Sequence, residues 1–204
     1  MPTNTFQRLN EKKRKKFIRE AYIEFSLNQF KGASITNLVK TLGIAKGSVY
    51  QYFADKEELY SFLVEESVQH LNNLLDKACP YQGEEFYQWY NKLVIVEVKF
   101  FLSFPAYSLM LRNLSHGVTD IDIQLRSKIH NVRTNRVNRA LPSSLDGSEM
   151  TNFQLTQASI LIFTLITKDL DLAKIIQSND PIYMDPTELV DVCSTWVEKL
   201  KSGL

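Results

Sequence analysis

The chain has 204 residues, 44% of them hydrophobic and 23% charged, with only seven glycines and six prolines. That composition suits a globular protein with a sizeable core and excludes a disordered, collagenous or disulfide-stapled chain. The formal net charge of +1 hides an asymmetry: residues 1–56 carry eleven Lys or Arg against four acids, and the remainder thirteen against nineteen. A basic head on an acidic body points to a polyanionic partner for the head, or to a solvated basic helix face.

The start of the chain, Met1 to Lys16, is polar and then basic, with no apolar signal core. The most apolar window, Leu93 to Phe104, is interrupted by Glu97 and Lys99 and falls short of the roughly 20 residues that cross a bilayer. Cys79 and Cys193 lie far apart without a CxxC pattern, so they are expected as buried thiols in a reducing compartment. A cytoplasmic protein without a membrane segment is the expectation.

In chain order, Phe17, Ala21 and Phe25 form one i, i+4 row and Ile18 and Tyr22 a second. This stripe predicts a helix over about 11–27, with Asn28 available to end it in the left-handed conformation. The run Lys12 to Lys16 is either an arm for DNA or a solvated helix start. Ser34 is a suitable N-cap, and Ile35, Leu38, Val39 and Leu42 recur as one buried face until Gly43 stops the helix. A short third helix follows over about 45–52, with Val49 and Phe53 inward. Lys46, Ser48, Gln51 and Tyr52 fall on other faces, and Gly47 permits close backbone approach. A short polar-faced helix after a tight glycine turn is what major-groove reading requires.

The segment Gly43-Ile44-Ala45-Lys46-Gly47-Ser48-Val49-Tyr50-Gln51-Tyr52-Phe53, followed by Lys56, Glu57, Glu58 and Leu59, resembles the TetR family signature, and the match runs without a gap over residues 25–63. The resemblance implies an all-α protein: a three-helix helix-turn-helix domain over 1–56 and a larger helical effector-binding and dimerisation domain over 57–204. It implies phosphate contacts from Tyr52 and Lys56, assisted by Ser34. Thr36, Lys46, Ser48 and Gln51 would face base edges or adjacent phosphates; Gln51 suits adenine and Lys46 guanine. Gly47 and Tyr50 would pack on the DNA backbone or a thymine methyl, although Tyr50 could equally be core. Two departures stand out. Ala45 replaces the usual Ser or Thr, removing a cap, and Gln29 replaces the usual Gly, a position Asn28 could compensate.

Beyond the head, a helix is predicted over about 55–78, and others over 85–103, 105–115, 120–140, 149–170 and 186–202, with Pro142 ending the fourth of these. The resemblance implies that the first of them transmits a signal by tilting. Ile160-Leu161-Ile162-Phe163 is apolar all round, which means a sandwiched helix. Burial within a monomer and burial against a second subunit fit equally, and the resemblance implies a homodimer through Leu155, Ile162, Phe163, Ile166, Val192 and Trp196. Glu97 falls on an aromatic face, where a carboxylate is costly unless paired. It either lines an effector pocket with Phe86, Tyr90, Phe101, Phe104, Tyr107 and His116, or pairs with Arg112 or Arg126.

Other functions find less support. There is no Gly-rich phosphate loop, GxSxG, HExxH or paired-carboxylate motif, so no enzyme and no catalytic cofactor are expected. His70, His116 and His130 lack metal-ligand spacing, so no metal is expected. A helical protein-interaction module would explain the helices but not Lys46, Tyr52 and Lys56 beside a basic segment. An effector-independent DNA-binding protein would share the head and differ in the body. The expectation is a sequence-specific DNA-binding regulator, by family default a repressor. It would bind a palindromic double-stranded operator and be released by a small hydrophobic effector.

Overall fold

The computed structural model describes residues 2–141 and 149–202, and the side chains of all of these except 149–153. Every regular element among them is a helix: α1 (Asn4–Gln7), α2 (Glu11–Gly32), α3 (Ile35–Leu42), α4 (Lys46–Tyr52), α5 (Lys56–Ala78), α6 (Phe86–Ser103), α7 (Pro105–His116), α8 (Asp120–Ala140), α9 (Glu149–Ile166), α10 (Leu172–Ser178) and α11 (Pro186–Lys201). The all-α expectation holds. Two helices are additions, α1 and α10, of four and seven residues; both are too short to show a periodic apolar stripe. α9 also ends earlier than expected, because Asp171 caps a new helix by accepting from the Lys174 amide at 3.1 Å. The helix stop expected at Pro142 lies outside the described residues. No single helix among the described residues is long and apolar enough to cross a membrane.

Two compact units form, Met1–Gln69 with Ala106–Arg126, and His70–Pro105 with Ser127–Leu204. By packing, therefore, the head takes in more than residues 1–56. In this first unit Phe17, Ala21, Tyr22 and Phe25 of α2 are buried with Ile35, Leu38 and Val39 of α3, Val49 of α4, and Leu59, Tyr60 and Leu63 of α5. Tyr107 of α7 lies on the Tyr22 ring at 4.0 Å, and Asn113 Nδ2 donates to the Ser26 carbonyl at 2.8 Å. Gly43 adopts φ 69°, and the Gly43 and Ile44 amides close α3 on the carbonyls of Lys40 and Val39 at 3.2 Å each. This is the glycine stop read from the sequence.

The break near the end of α2 falls one residue later than expected. Gln29, not Asn28, holds the left-handed backbone, at φ 57° and ψ 176°. Asn28 instead donates its side-chain amide to the Glu24 carbonyl at 3.1 Å. The Gln29 region is nearly reserved for glycine and stores on the order of 1–3 kcal/mol, so the family's glycine has a conformational reason. Gln29→Gly is expected to raise stability by about 1 kcal/mol, strain relief being partly offset by the entropy of an unfolded glycine. Its urea midpoint should rise; an unchanged midpoint would mean that the neighbours hold this conformation without cost.

In the second unit α6, α9 and α11 pack on one another. Trp89, Tyr90, Phe100 and Phe101 of α6, Phe163 of α9, and Cys193 and Val197 of α11 are almost wholly buried. Trp89 Nε1 donates to the Cys79 carbonyl at 3.0 Å. Both cysteines are free and buried, and burial pushes each thiol up to about 11, so they stay protonated near neutrality.

Candidate nucleic-acid interface

α3 and α4 form a helix-turn-helix whose entry is fixed from both sides. Ser34 Oγ accepts from the Asn37 amide at 3.3 Å, and the Ser34 amide donates to Glu24 Oε1 at 2.8 Å, tying the start of α3 to α2. α4 begins at Ala45 without a side-chain cap, so the missing hydroxyl is a structural fact. Val49 turns inward, and Phe53 follows it into the core. Lys46, Gly47, Tyr50 and Gln51 are left exposed, with Ser48 and Tyr52 half-buried and Thr36 exposed on α3. Tyr50, at 47% exposure, is a surface side chain and not a core one.

Lys56 has a role the sequence does not show. Its ammonium donates to the carbonyls of Phe30 at 2.8 Å and Ala33 at 3.1 Å, and lies 4.5 Å over the Phe30 ring. It closes the C-terminal end of α2, where carbonyls lack partners. The basic run Lys12 to Lys16 is helical, capped by Asn10 Oδ1 accepting from the Lys12 amide at 2.9 Å, with Lys15 paired to Glu11 at 2.7 Å. It is the solvated helix start, not an extended arm.

Residues 17–61 match the family model for bacterial regulatory proteins of the tetR family. The head of the chain carries the DNA-binding domain of that family. No curated protein matches it. A TetR-family regulator from Chloroflexus aurantiacus J-10-FL has a similar structure at 22% identity and a TM-score of 0.77, covering 100% of this chain and 98% of that one. A TetR-like regulator from Rhodococcus sp. RHA1 follows at 14% identity and 0.69, covering 97% and 100%. FadR of Bacillus subtilis, solved in complex with stearoyl-CoA, stands at 14% and 0.63, covering 93% and 98%. At such identities these structures speak for the fold.

The residues expected to line an effector pocket are divided between the two units. Phe86, Tyr90, Glu97 and Phe101 are buried in the second unit, while Phe104 is 38% exposed. Tyr107 and His116 belong to the first unit: α6 stops at Ser103, and Pro105 opens the helix that carries them. Tyr107 stacks on Tyr22, and His116 is exposed, its Nδ1 3.0 Å from the Arg112 carbonyl. Glu97 is ion-paired, but with neither arginine named for it: Arg133 Nη2 reaches Glu97 Oε1 at 2.8 Å and Ser159 Oγ at 2.9 Å. Arg126 is engaged with the carbonyls of Ser115 and Gly117, at 3.1 Å each.

The residues expected at a dimer interface also divide. Leu155, Ile162 and Phe163 are buried within their own unit. Ile166, Val192 and Trp196 are half-buried. Leu161, Leu165 and Val190, outside the expected interface set, are exposed at 44%, 41% and 38%. An all-round apolar helix cannot announce which side its own unit covers. Among the described residues no group of three or more His, Cys, Asp or Glu comes together to hold a metal ion.

Proposed function

We propose that this regulator acts in the cytoplasm as a homodimeric repressor, reads a palindromic operator through α4, and leaves it when the body takes up a small hydrophobic effector. The carrying observation is the outward face of α4: Lys46, Gly47, Tyr50 and Gln51 exposed on a helix whose Val49 is inward. A Cβ built at Gly47 would meet nothing within 4 Å. The fold does not demand glycine there, whereas close approach of a phosphate backbone would. Lys46 and Gln51 read bases, with Ser48 and Thr36 beside them, while Ser34, Tyr50 and Tyr52 contact the backbone. Lys56, with two of its donors engaged internally, serves mainly to position the helices.

The apolar positions of α9 and α11 that remain open, Leu161, Leu165 and Val190 with Ile166, Val192 and Trp196, supply the dimer face. The effector class rests on the aromatic interior of the second unit and on stearoyl-CoA in the similarly folded FadR. A second reading, an effector-independent regulator, is favoured by the closed Glu97–Arg133 pair and the buried Phe86, Tyr90 and Phe101.

Selection from a random duplex pool tests the proposal. A palindrome with half-sites about one helical turn or a multiple apart is expected, with affinity falling steeply as salt rises. Lys46→Ala should lower operator affinity and reduce the salt slope by about 1. Loss of the complex on titration with long-chain acyl-CoA supports the effector, and an unaffected complex supports the second reading. Failure to enrich any sequence would overturn the proposal.

A further inference from the structure

We propose that Thr3 and Phe6 are positioning residues for DNA reading: they hold the C-terminal end of α4 and so set the attitude of its outward side chains. The proposal rests on α4 being the helix that enters the groove. α4 has seven residues and no N-terminal side-chain cap, far fewer than the roughly 12–15 that an isolated helix needs to be even marginally stable. Its last carbonyls lack partners within the helix, and two of them are taken from 48 and 49 residues away. Thr3 Oγ1 donates to the Gln51 carbonyl at 2.6 Å, and the Thr3 amide donates to the Tyr52 carbonyl at 3.0 Å. The same Oγ1 accepts from the Phe6 amide at 3.4 Å, capping α1.

Phe6 completes the brace. Its ring, 2% exposed, lies 5.5 Å from Phe17, 5.7 Å from Tyr52, 4.9 Å from Phe53 and 5.9 Å from Phe62. Tyr52 is thereby walled by Phe6 on one side and by Phe17 at 5.6 Å on another, which limits its ring to few orientations. α1 packs on α4 and its cap Thr3 is hydrogen-bonded to it, so this segment forms a brace and not a minor-groove arm. Neither Thr3 nor Phe6 carries charge. Their effect therefore falls on specific geometry and leaves counterion release alone.

The test compares wild type, Thr3→Val and Thr3→Ser on the operator selected by the wild type and on a scrambled duplex, across a salt series. Thr3→Val, which keeps the shape and removes the hydroxyl donor, is expected to lose about tenfold on the operator. It should lose nothing on the scrambled duplex and keep the salt slope, and Thr3→Ser should restore binding. Wild-type affinity in Thr3→Val overturns the proposal. So does an equal loss on both duplexes with a shallower slope, which marks a phosphate-contacting arm. Amide exchange read without DNA separates this from failure of the regulator reading. The α4 amides should exchange faster in Thr3→Val while the global unfolding midpoint stays put; unchanged exchange would overturn the brace even if no operator were found.

Discussion

Arg133→Met is expected to cost about 3–5 kcal/mol, the range for removing one partner of a buried ion pair. The Glu97 and Arg133 side chains are 6% and 13% exposed, so solvent screens the pair little. One guanidinium nitrogen, Nη2, serves both Glu97 of α6 and Ser159 of α9, and a single truncation therefore orphans groups on two helices. The carboxylate left behind sits on a helix whose Leu93, Val94, Val98, Phe100 and Phe101 are all buried. Desolvation decides the outcome: the pair adds little over an apolar replacement, but half of it is worse than none. The double variant Glu97→Leu with Arg133→Met should accordingly recover most of the loss. Urea unfolding with a constant m-value measures both. A loss below about 1 kcal/mol in the single variant would show that water reaches Glu97 once Arg133 is gone.

The head was legible because its signals are local. Ser34 caps three residues ahead, the α3 stripe repeats within eight residues, and Gly43 supplies a left-handed stop that few other residues tolerate. The place of Gln29 was legible as a departure, but not its backbone, since a sequence does not show which neighbour takes the strain. Lys56 illustrates where local signals end. Its partners are the carbonyls of Phe30 and Ala33, 26 and 23 residues away, and a backbone carbonyl leaves no trace in residue type. Thr3 was harder still, because one threonine in a polar segment is an ordinary helix cap until its second partner is known.

In the body the ambiguity is physical. Burying Phe86 against Tyr90 and Phe101 against Phe163 uses the same kind of side chains that would line a lipophilic cavity, so periodicity alone cannot separate core from pocket. The Glu97 face correctly demanded a cation. Choosing among arginines, however, needs the helix order that packs α8 near α6. Arg126 lies seven residues, about two turns, before Arg133 on α8, yet falls in the other compact unit.

Gly117→Ala is expected to cost about 3 kcal/mol, combining roughly 1–3 for overpacking with 1–3 for an orphaned buried polar group. Gly117 does not have a left-handed φ; the constraint is space. A Cβ there would lie 2.4 Å from Asp122 Cγ, 2.5 Å from its Oδ2 and 2.7 Å from its Cβ. Asp122 cannot swing aside cheaply. It is 5% exposed, its Oδ1 accepts from Tyr60 at 3.1 Å, and its Oδ2 accepts from the Thr119 amide and hydroxyl at 3.2 and 2.5 Å. Burial, and then the Asp122 charge, hold the Tyr60 phenol above its usual range, so Tyr60 remains a donor that loses its acceptor if Asp122 moves. Gly47→Ala is the matched control. Space around Gly47 is open, and alanine should stabilise α4 by up to about 1 kcal/mol while weakening operator binding. Thermal unfolding of the two variants separates a glycine required by the interior from one that the fold does not require. If Gly117→Ala melts with the wild type, the corner between α7 and α8 yields without disturbing Asp122, and the steric account of that glycine fails.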